Sequence, residues 1–339
     1  MSYELRTQTI EPRRNAFTHL VERFGDRPPS RYQEATFDVQ ATENFHYRPY
    51  WAPDREPYDP DYTALKLTDP YDYSDPRQFY YATWVTARAE HYDAFAKTLA
   101  YVEQRGLLGA LGEGWQALLV EVVLPLRHYE SAAQLISSNG CRFAWGTSIS
   151  QPVGLAAMDR IGNAQLLSTV GLALSGGGTD SLAAAKTAWV EREGAQALRR
   201  YTEEAMVAED WAEGVLAVEL LDSLVYPVLF GHLERESLGA GAPAYSLLAQ
   251  HFGTWYADQR RWLDPLLTAW ADDPEHGAAN REFLAAVAAR WAPAALTAFR
   301  GLVDGVDPAL PDLRAATSQA AADLTARLDK LGVTAPELD

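Results

Sequence analysis

The chain has 339 residues, 47% hydrophobic and 22% charged, which excludes disorder for its bulk and leaves room for one large domain or two ordinary ones. A formal net charge of −17 makes nucleic acid and anionic membranes poor partners, because phosphate is repelled; it favours solubility and leaves a basic protein partner open. The single cysteine, Cys141, excludes an intramolecular disulfide and suits a reducing compartment.

The opening "MSYELRTQTIEPRRNAF" has no apolar signal-peptide core. No uninterrupted apolar run reaches the ~18 residues of a membrane span. A soluble cytoplasmic protein is expected, with neither membrane nor nucleic acid as a partner. Residues 1–81 hold 10 of the 17 tyrosines and 9 of the 19 prolines. Tracts such as "NFHYRPYWAPDREPYDPDY" (44–62) show neither helical nor strand periodicity, and proline excludes long helices. They are too aromatic for a solvated linker. Residues 1–81 therefore read as an extended arm lying on another surface, either its own domain or another subunit. His46, Tyr47, Arg48, Tyr50 and Trp51 are the candidate interface residues, with Tyr47, Tyr50 and Trp51 as anchors. Against a partner subunit, such an arm is expected to bury well above the ~2,000 Å² of a standard interface.

Helical patterning begins near residue 75, with Asp75 as the expected N-cap, Pro76 at the first helical position and Gly106 as the stop. Further helices are predicted over roughly 113–137, 150–174, 179–191, 194–209, 211–236, 243–270, 277–302 and 311–331, the last ending at Gly332. Strand alternation is lacking, and several helices are apolar around much of their circumference, as in a multi-helix core. The expected fold is all-α: a bundle over 82–332 preceded by the arm.

Chemistry is sparse. There is no Gly-x-Ser-x-Gly elbow and no cysteine pattern for zinc. "SGGGTD" (175–180) lacks the lysine of a phosphate loop and reads as a break between helices. His19, His46, His91, His128, His232, His251 and His276 are scattered singly. The one Glu-x-x-His, Glu43 to His46, lies in the proline-rich arm, where the spacing loses its helical meaning. The informative stretch is "LAAMDRIGNAQLL" (155–167). Arg160 and Asn163 are three apart and share a helix face with Val153, Ala156, Leu167 and Val170, so two polar groups point inward. A dinuclear carboxylate site takes a Glu from each of two helices and Glu-x-x-His from each of two more. "DRIGNAQ" carries arginine where that glutamate belongs and asparagine where the histidine belongs, and arginine cannot ligate a cation. Glu130 in "PLRHYESAAQL" and Asp222 in "AVELLDSLVYPVLF" are candidates for the two lone acids. "GTWYADQRRWLD" should supply the second motif but offers Tyr256 and Gln259, or Trp255 and Asp258, without histidine. Unrelated buried polar residues are the bland alternative. On the sharper reading, Glu130, Arg160, Asn163, Asp222, Tyr256 and Gln259 mark a dismantled metal site.

These residues carry a resemblance. "RFGDRPPSRYQEATFD" (23–38), "NFHYRPYW" (44–51), "DPRQFYY" (75–81), "PLRHYE" (125–130), "AMDRIGNAQ" (157–165) and "LRRYTEEAMVAEDW" (198–211) resemble the beta subunit of the hydroxylase component of bacterial multicomponent phenol hydroxylases, among the soluble di-iron monooxygenases. The likeness covers nearly the whole chain. It implies a ferritin-like fold, no catalytic residue or cofactor of its own, and a place in a dimer of alpha–beta–gamma units. The di-iron centre would be on alpha, FAD and a 2Fe-2S cluster on an NADH reductase, and a coupling protein would complete the system. Together these would insert one oxygen atom of O2 into an aromatic ring. The competing expectation is a stand-alone carboxylate-bridged di-metal oxygenase with its own site. Substrate and regioselectivity are not legible here.

Overall fold

The computed structural model describes residues 17–43, 48–307, 309–334 and 336–338. Among the described residues every regular element is helical, and no strand forms. The chain is a ferritin-like bundle with an N-terminal arm.

The four helices that surround the bundle's centre are α5 (Leu126–Phe143), α6 (Thr147–Leu174), α9 (Trp211–Pro227) and α11 (Pro243–Ala271). α5 and α6 form the most intimate antiparallel pair and both also face the α9–α11 side. The turn between α5 and α6 needs Gly146 at φ 91, a left-handed conformation that a side chain disfavours. α12 (Gly277–Val303) packs on α8 (Glu193–Met206) and α9, and α13 (Leu313–Lys330) closes over α9. α7 (Asp180–Glu191) bridges α6 and α8. Trp255, Trp262 and Trp291 are the largest fully buried side chains among the described residues. α3 (Tyr81–Gln104) lies outside, against α11 and α6. Its approach to α6 depends on Gly162, where a Cβ would fall 1.9 Å from Tyr92 Oη.

Three boundaries differ from the sequence expectation. Asp75 does not cap α3. Its carboxylate caps a single turn by accepting from Arg77 N–H (2.9 Å) and holds the Arg77 guanidinium (2.9 Å). Gln78, at φ 52, breaks that turn, and α3 begins at Tyr81, where Thr83 Oγ1 reaches back to accept from Tyr80 N–H (3.1 Å). The helix expected over 113–137 is two: α4 (Glu113–Leu118), a π-helical turn over Leu119–Val123, and α5. Pro125 supplies no N–H to continue the ladder there. The helix expected over 211–236 is likewise divided by a π-turn, Val228–His232, directly after Pro227; α10 (Leu233–Gly239) follows. Trp211–Gly239 is also long and apolar enough by mean hydropathy to cross a membrane, although Glu213, Glu219 and Asp222 interrupt the run, as expected. It is nevertheless 83% buried within the protein over its apolar window, as the core helix of this bundle.

The arm contains two short helices the sequence reading did not resolve, α1 (Thr18–Phe24) and α2 (Arg31–Thr36), the latter with a capping box between Ser30 and Gln33. Leu20, Tyr32 and Phe37 form a small core of their own, clamped by Arg23 on Asp38 and Asp69. Residues 60–80 lie on the chain's own bundle. Asn280 bonds both Lys66 N (3.0 Å) and Lys66 O (2.7 Å), as a neighbouring strand would. Tyr73 donates to Trp262 O at 3.0 Å, and Tyr62 stacks on Phe143 with centroids 4.5 Å apart.

Candidate functional site

An all-helical core of this size should be apolar, yet its centre holds charges. α6 delivers Arg160 inward because its apolar residues occupy the same face; Val153, Ala156, Leu167 and Val170 are buried with it. Arg160 is 1% exposed, Glu130 2% and Asp222 0%, so three ionisable side chains from α6, α5 and α9 meet in a dry interior. Arg160 Nη1 donates to both Glu130 oxygens (3.2 and 3.3 Å) and to Asp222 Oδ1 (3.2 Å), while Nη2 donates to Asp222 Oδ2. The guanidinium thus sits between the two acids that sequence reasoning assigned as lone ligands. Its partner is both of them, not Glu130 alone.

Two tyrosines complete the shell. Tyr129 donates to Asp222 Oδ1 at 2.7 Å and Tyr226 to Glu130 Oε1 at 2.7 Å. Asn163, buried, donates to Tyr226 Oη at 3.3 Å. Trp255 lies under the guanidinium, 4.7 Å from Cζ to ring centroid, a cation–π contact in a desolvated setting. Tyr256 stacks on Tyr226 at 4.9 Å. Gln259 is buried but turns away from the acids, accepting from Trp262 Nε1 at 2.9 Å. The structure therefore gathers Glu130, Arg160, Asn163 and Asp222 into one hydrogen-bonded cluster, with Tyr256 one ring away and Gln259 engaged elsewhere. The alternative pair divides: Trp255 joins the cluster, and Asp258 does not.

Two further charged groups flank this centre. Asp159, adjacent to Arg160 but on the next face of α6, accepts from Arg88 Nε and Nη2 (both 2.7 Å) and Trp84 Nε1 (2.8 Å). Arg88 also reaches Asp258, which Arg77 engages at 3.1 Å, so one network pins α3, α6, α11 and the end of the arm. On the opposite side Glu219 receives Arg327 (2.7 Å) and Arg260 (3.2 Å); together these cations hold its carboxyl below the usual range despite burial. Glu219 and Asp222 are three apart on α9, so the inward face of that helix offered both acids to sequence reasoning. Arg88 and Arg327 gave no local signal, because their partners come from distant parts of the chain; Arg260 pairs locally with Asp264, but its contact with Glu219 is long-range.

The central cluster has one cation for two carboxylates. Burial pushes the Asp222 carboxyl up to about 6, only partly opposed by Arg160, and holds the Tyr129 and Tyr226 hydroxyls well above their ordinary value. A carboxyl whose folded pKa exceeds its unfolded value favours the fold at low pH. That contribution is complete below the ordinary 3.8 and lost as pH rises through about 6. An Asp222→Asn variant keeps the shape and does not ionise. Its stability relative to the parent should therefore increase between pH 5 and 7.5 by about 1–1.5 kcal/mol, since the two states of the parent differ by a bound proton only up to about pH 6 and each such pH unit is worth ~1.4 kcal/mol. Urea titrations of both proteins at the two pH values check this; a difference independent of pH would contradict it.

Of the arm's interface candidates, His46 and Tyr47 lie outside the described residues, as does the His46 end of the Glu43–His46 spacing. Tyr50 is 92% exposed and Trp51 68%; Trp51 Nε1 donates to Asn139 on α5 (3.3 Å), and Arg48 pairs with Glu56. Among the described residues no group of three or more His, Cys, Asp or Glu side chains converges as a metal-binding set. Arg160 occupies the space between the two acids, and neither position 163 nor position 259 offers a histidine. The donor set at the centre does not fit two metal ions.

Comparison with known proteins gives this geometry a context. The family model for methane, phenol and alkene hydroxylases matches residues 51–274. The oxygenase component DmpL of phenol 2-monooxygenase from Pseudomonas sp. strain CF600 is 37% identical, over 99% of this chain and 100% of its own length. MhpL, an oxygenase component of the same enzyme type from Acinetobacter pittii strain PHEA-2, is 37% identical over 91% of this chain and 94% of its own. A chain in a xenon-pressurised crystal of phenol hydroxylase from Pseudomonas sp. OX1 superimposes with a TM-score of 0.88 at 34% identity, covering 98% of this chain and 99% of that one. A chain of toluene 4-monooxygenase, solved with toluene in its resting active site, shares the fold with a TM-score of 0.72 at 18% identity, over 86% and 97% of the two chains.

Proposed function

The chain belongs to the methane/phenol/alkene hydroxylase family, and from that premise we propose that it is the non-catalytic, beta-type subunit of a phenol-type aromatic monooxygenase. Arg160 carries this reading. A di-iron site needs anionic and imidazole ligands converging on the metals. Here a permanently charged guanidinium bridges Glu130 and Asp222, so α5, α6 and α9 are joined by an ion cluster and chemistry on iron has no ligand set in this chain. Glu130, Arg160, Asn163, Asp222, Tyr256 and Gln259 are the remains of the site.

In this role the chain is a cytoplasmic scaffold for an iron-bearing alpha subunit, together with a gamma subunit, in a dimer of alpha–beta–gamma units. Electrons would pass from NADH through a reductase carrying FAD and a 2Fe-2S cluster, with a coupling protein, and one oxygen atom would enter an aromatic ring on alpha. The names of the two relatives as oxygenase components of phenol 2-monooxygenase support this assignment. The arm is the proposed contact segment. Residues 60–80 are committed to the chain's own core, so the free surface for a partner begins with Tyr50 and Trp51, which project despite their size. Exposed aromatic pairs of this kind are typical interface anchors. Replacing both with alanine is expected to weaken assembly with alpha by at least roughly 30-fold, the effect of one strong anchor, while leaving the melting temperature of the isolated chain unchanged. Co-purification from cells making all three subunits tests this; undiminished recovery of alpha with the double variant would sink the arm's role.

A further inference from the structure

Each of the four central helices brings one polar side chain to the same small space. Ser137 on α5, Arg160 on α6, Glu219 on α9 and Gln259 on α11 line a void of about 10 Å³, whose other walls are apolar side chains such as Val153, Ala156 and Val218. All four polar residues are more than nine-tenths buried. Three of them carry groups with nothing to bond. Arg160 commits Nη1 and Nη2 to Glu130 and Asp222, but its buried Nε–H has no acceptor among the described residues. Glu219 receives Arg327 and Arg260 on Oε1, while its buried Oε2 accepts from no described residue. Gln259 turns its oxygen to Trp262, which directs its amide N–H groups elsewhere. Buried polar groups rarely go without partners, because desolvating them is costly. Arg160 makes no direct ion pair with Glu219, yet it is near enough to help hold the Glu219 carboxyl low. A gap of that kind between polar groups is where a bridging water belongs.

We propose that this void is the binding site of one water molecule. Its size suits a single water and nothing larger. A water also matches the groups around it: it accepts from Arg160 Nε and Gln259 Nε2, and donates to Glu219 Oε2 and Ser137 Oγ. A free ion gains little there, because a guanidinium and a carboxylate both border the site. Glu219 also borders a second void, of about 30 Å³, between α9, α11, α12 and α13. Apart from Arg327 the other walls of that void are apolar, so a water there would lack the roughly three partners of a typical buried water. The bound water joins the Glu130–Arg160–Asp222 cluster to Glu219, Arg260 and Arg327. It thereby ties α5, α6, α9, α11 and α13 into one buried polar network. This goes beyond the subunit reading and does not depend on it.

Crystallography of the oxygenase component, at a resolution that orders waters, reads the site directly. The expected result is one water peak within roughly 2.5–3.2 Å of Glu219 Oε2 and Gln259 Nε2. No density there, the density of an ion, or a water on Glu219 Oε2 in the second void instead would overturn the proposal. An isosteric pair reads the polarity of the site in solution. Ala156→Val and Ala156→Thr fill the void with the same shape, so packing strain cancels between them. Both displace the water, but only threonine returns a hydroxyl to the groups it served. The threonine variant should melt about 2 °C or more above the valine variant. A valine variant as stable as the threonine one, or more stable, would identify a dry apolar void and overturn the water site.

Discussion

Arg160→Met is expected to destabilise the isolated chain by about 3–5 kcal/mol, the cost of leaving a buried ion pair half-broken. That is a large share of the ~5–15 kcal/mol stability of an ordinary domain. The substitution keeps most of the side-chain volume, so little of the loss comes from a cavity. What remains is two carboxylates, Glu130 at 2% and Asp222 at 0% exposure, with hydroxyls from Tyr226 and Tyr129 as their hydrogen-bond partners and no cation. The remedy distinguishes charge from shape. Arg160→Met with Glu130→Gln still leaves Asp222 buried and unpaired, and should recover only part of the loss. Adding Asp222→Asn removes the last charge of the central cluster while preserving acceptors for both tyrosines, and should bring stability close to that of the parent. Denaturant titrations of the four proteins decide the matter. A single variant as stable as the parent, or a triple variant no better than the single, would remove the argument that the charges at the bundle centre depend on one another.

Much of this arrangement can be read from the sequence. The 3.6-residue period and its Gly and Pro punctuation place α6, α11, α12 and α13 within a few residues of their observed ends. The inward direction of Arg160 follows from its apolar companions on the same face, and the antiparallel return of α5 and α6 puts Glu130 opposite it. Short-range logic fails where the determinants are not local. α1 and α2 are too short for periodicity to register, and their stability comes from the Leu20–Tyr32–Phe37 contacts. Asp75 carries a good capping signal but is claimed by Arg77. The π-turns after Leu118 and Pro227 are single-turn adjustments around proline, invisible to a pattern of period 3.6. At the site, Asp222 was legible as an acid on α9. Its closer engagement with Arg160 than that of Glu130 depends on side-chain reach. Arg327 comes from 108 positions away to neutralise Glu219, a pairing set by tertiary packing alone.

This chain and its proposed partner should differ sharply in their capacity for iron. A cation-filled centre cannot take up iron without expelling Arg160, and that would leave the guanidinium buried without its acids, at a cost comparable to the 3–5 kcal/mol above. Neither added iron nor an electron supply should therefore awaken turnover in the isolated chain, because the deficiency is in the ligands. The direct test is to separate the subunits of a purified, active oxygenase component and measure iron in each, by elemental analysis, alongside phenol hydroxylation by each with reductase, coupling protein and NADH. The expected result is about two iron ions per alpha-type subunit, as a dinuclear carboxylate site holds, with none in this chain and no turnover by it above a protein-free control. About two ions bound per copy of this chain, or hydroxylation by this chain alone, would contradict the account and make it an oxygenase in its own right.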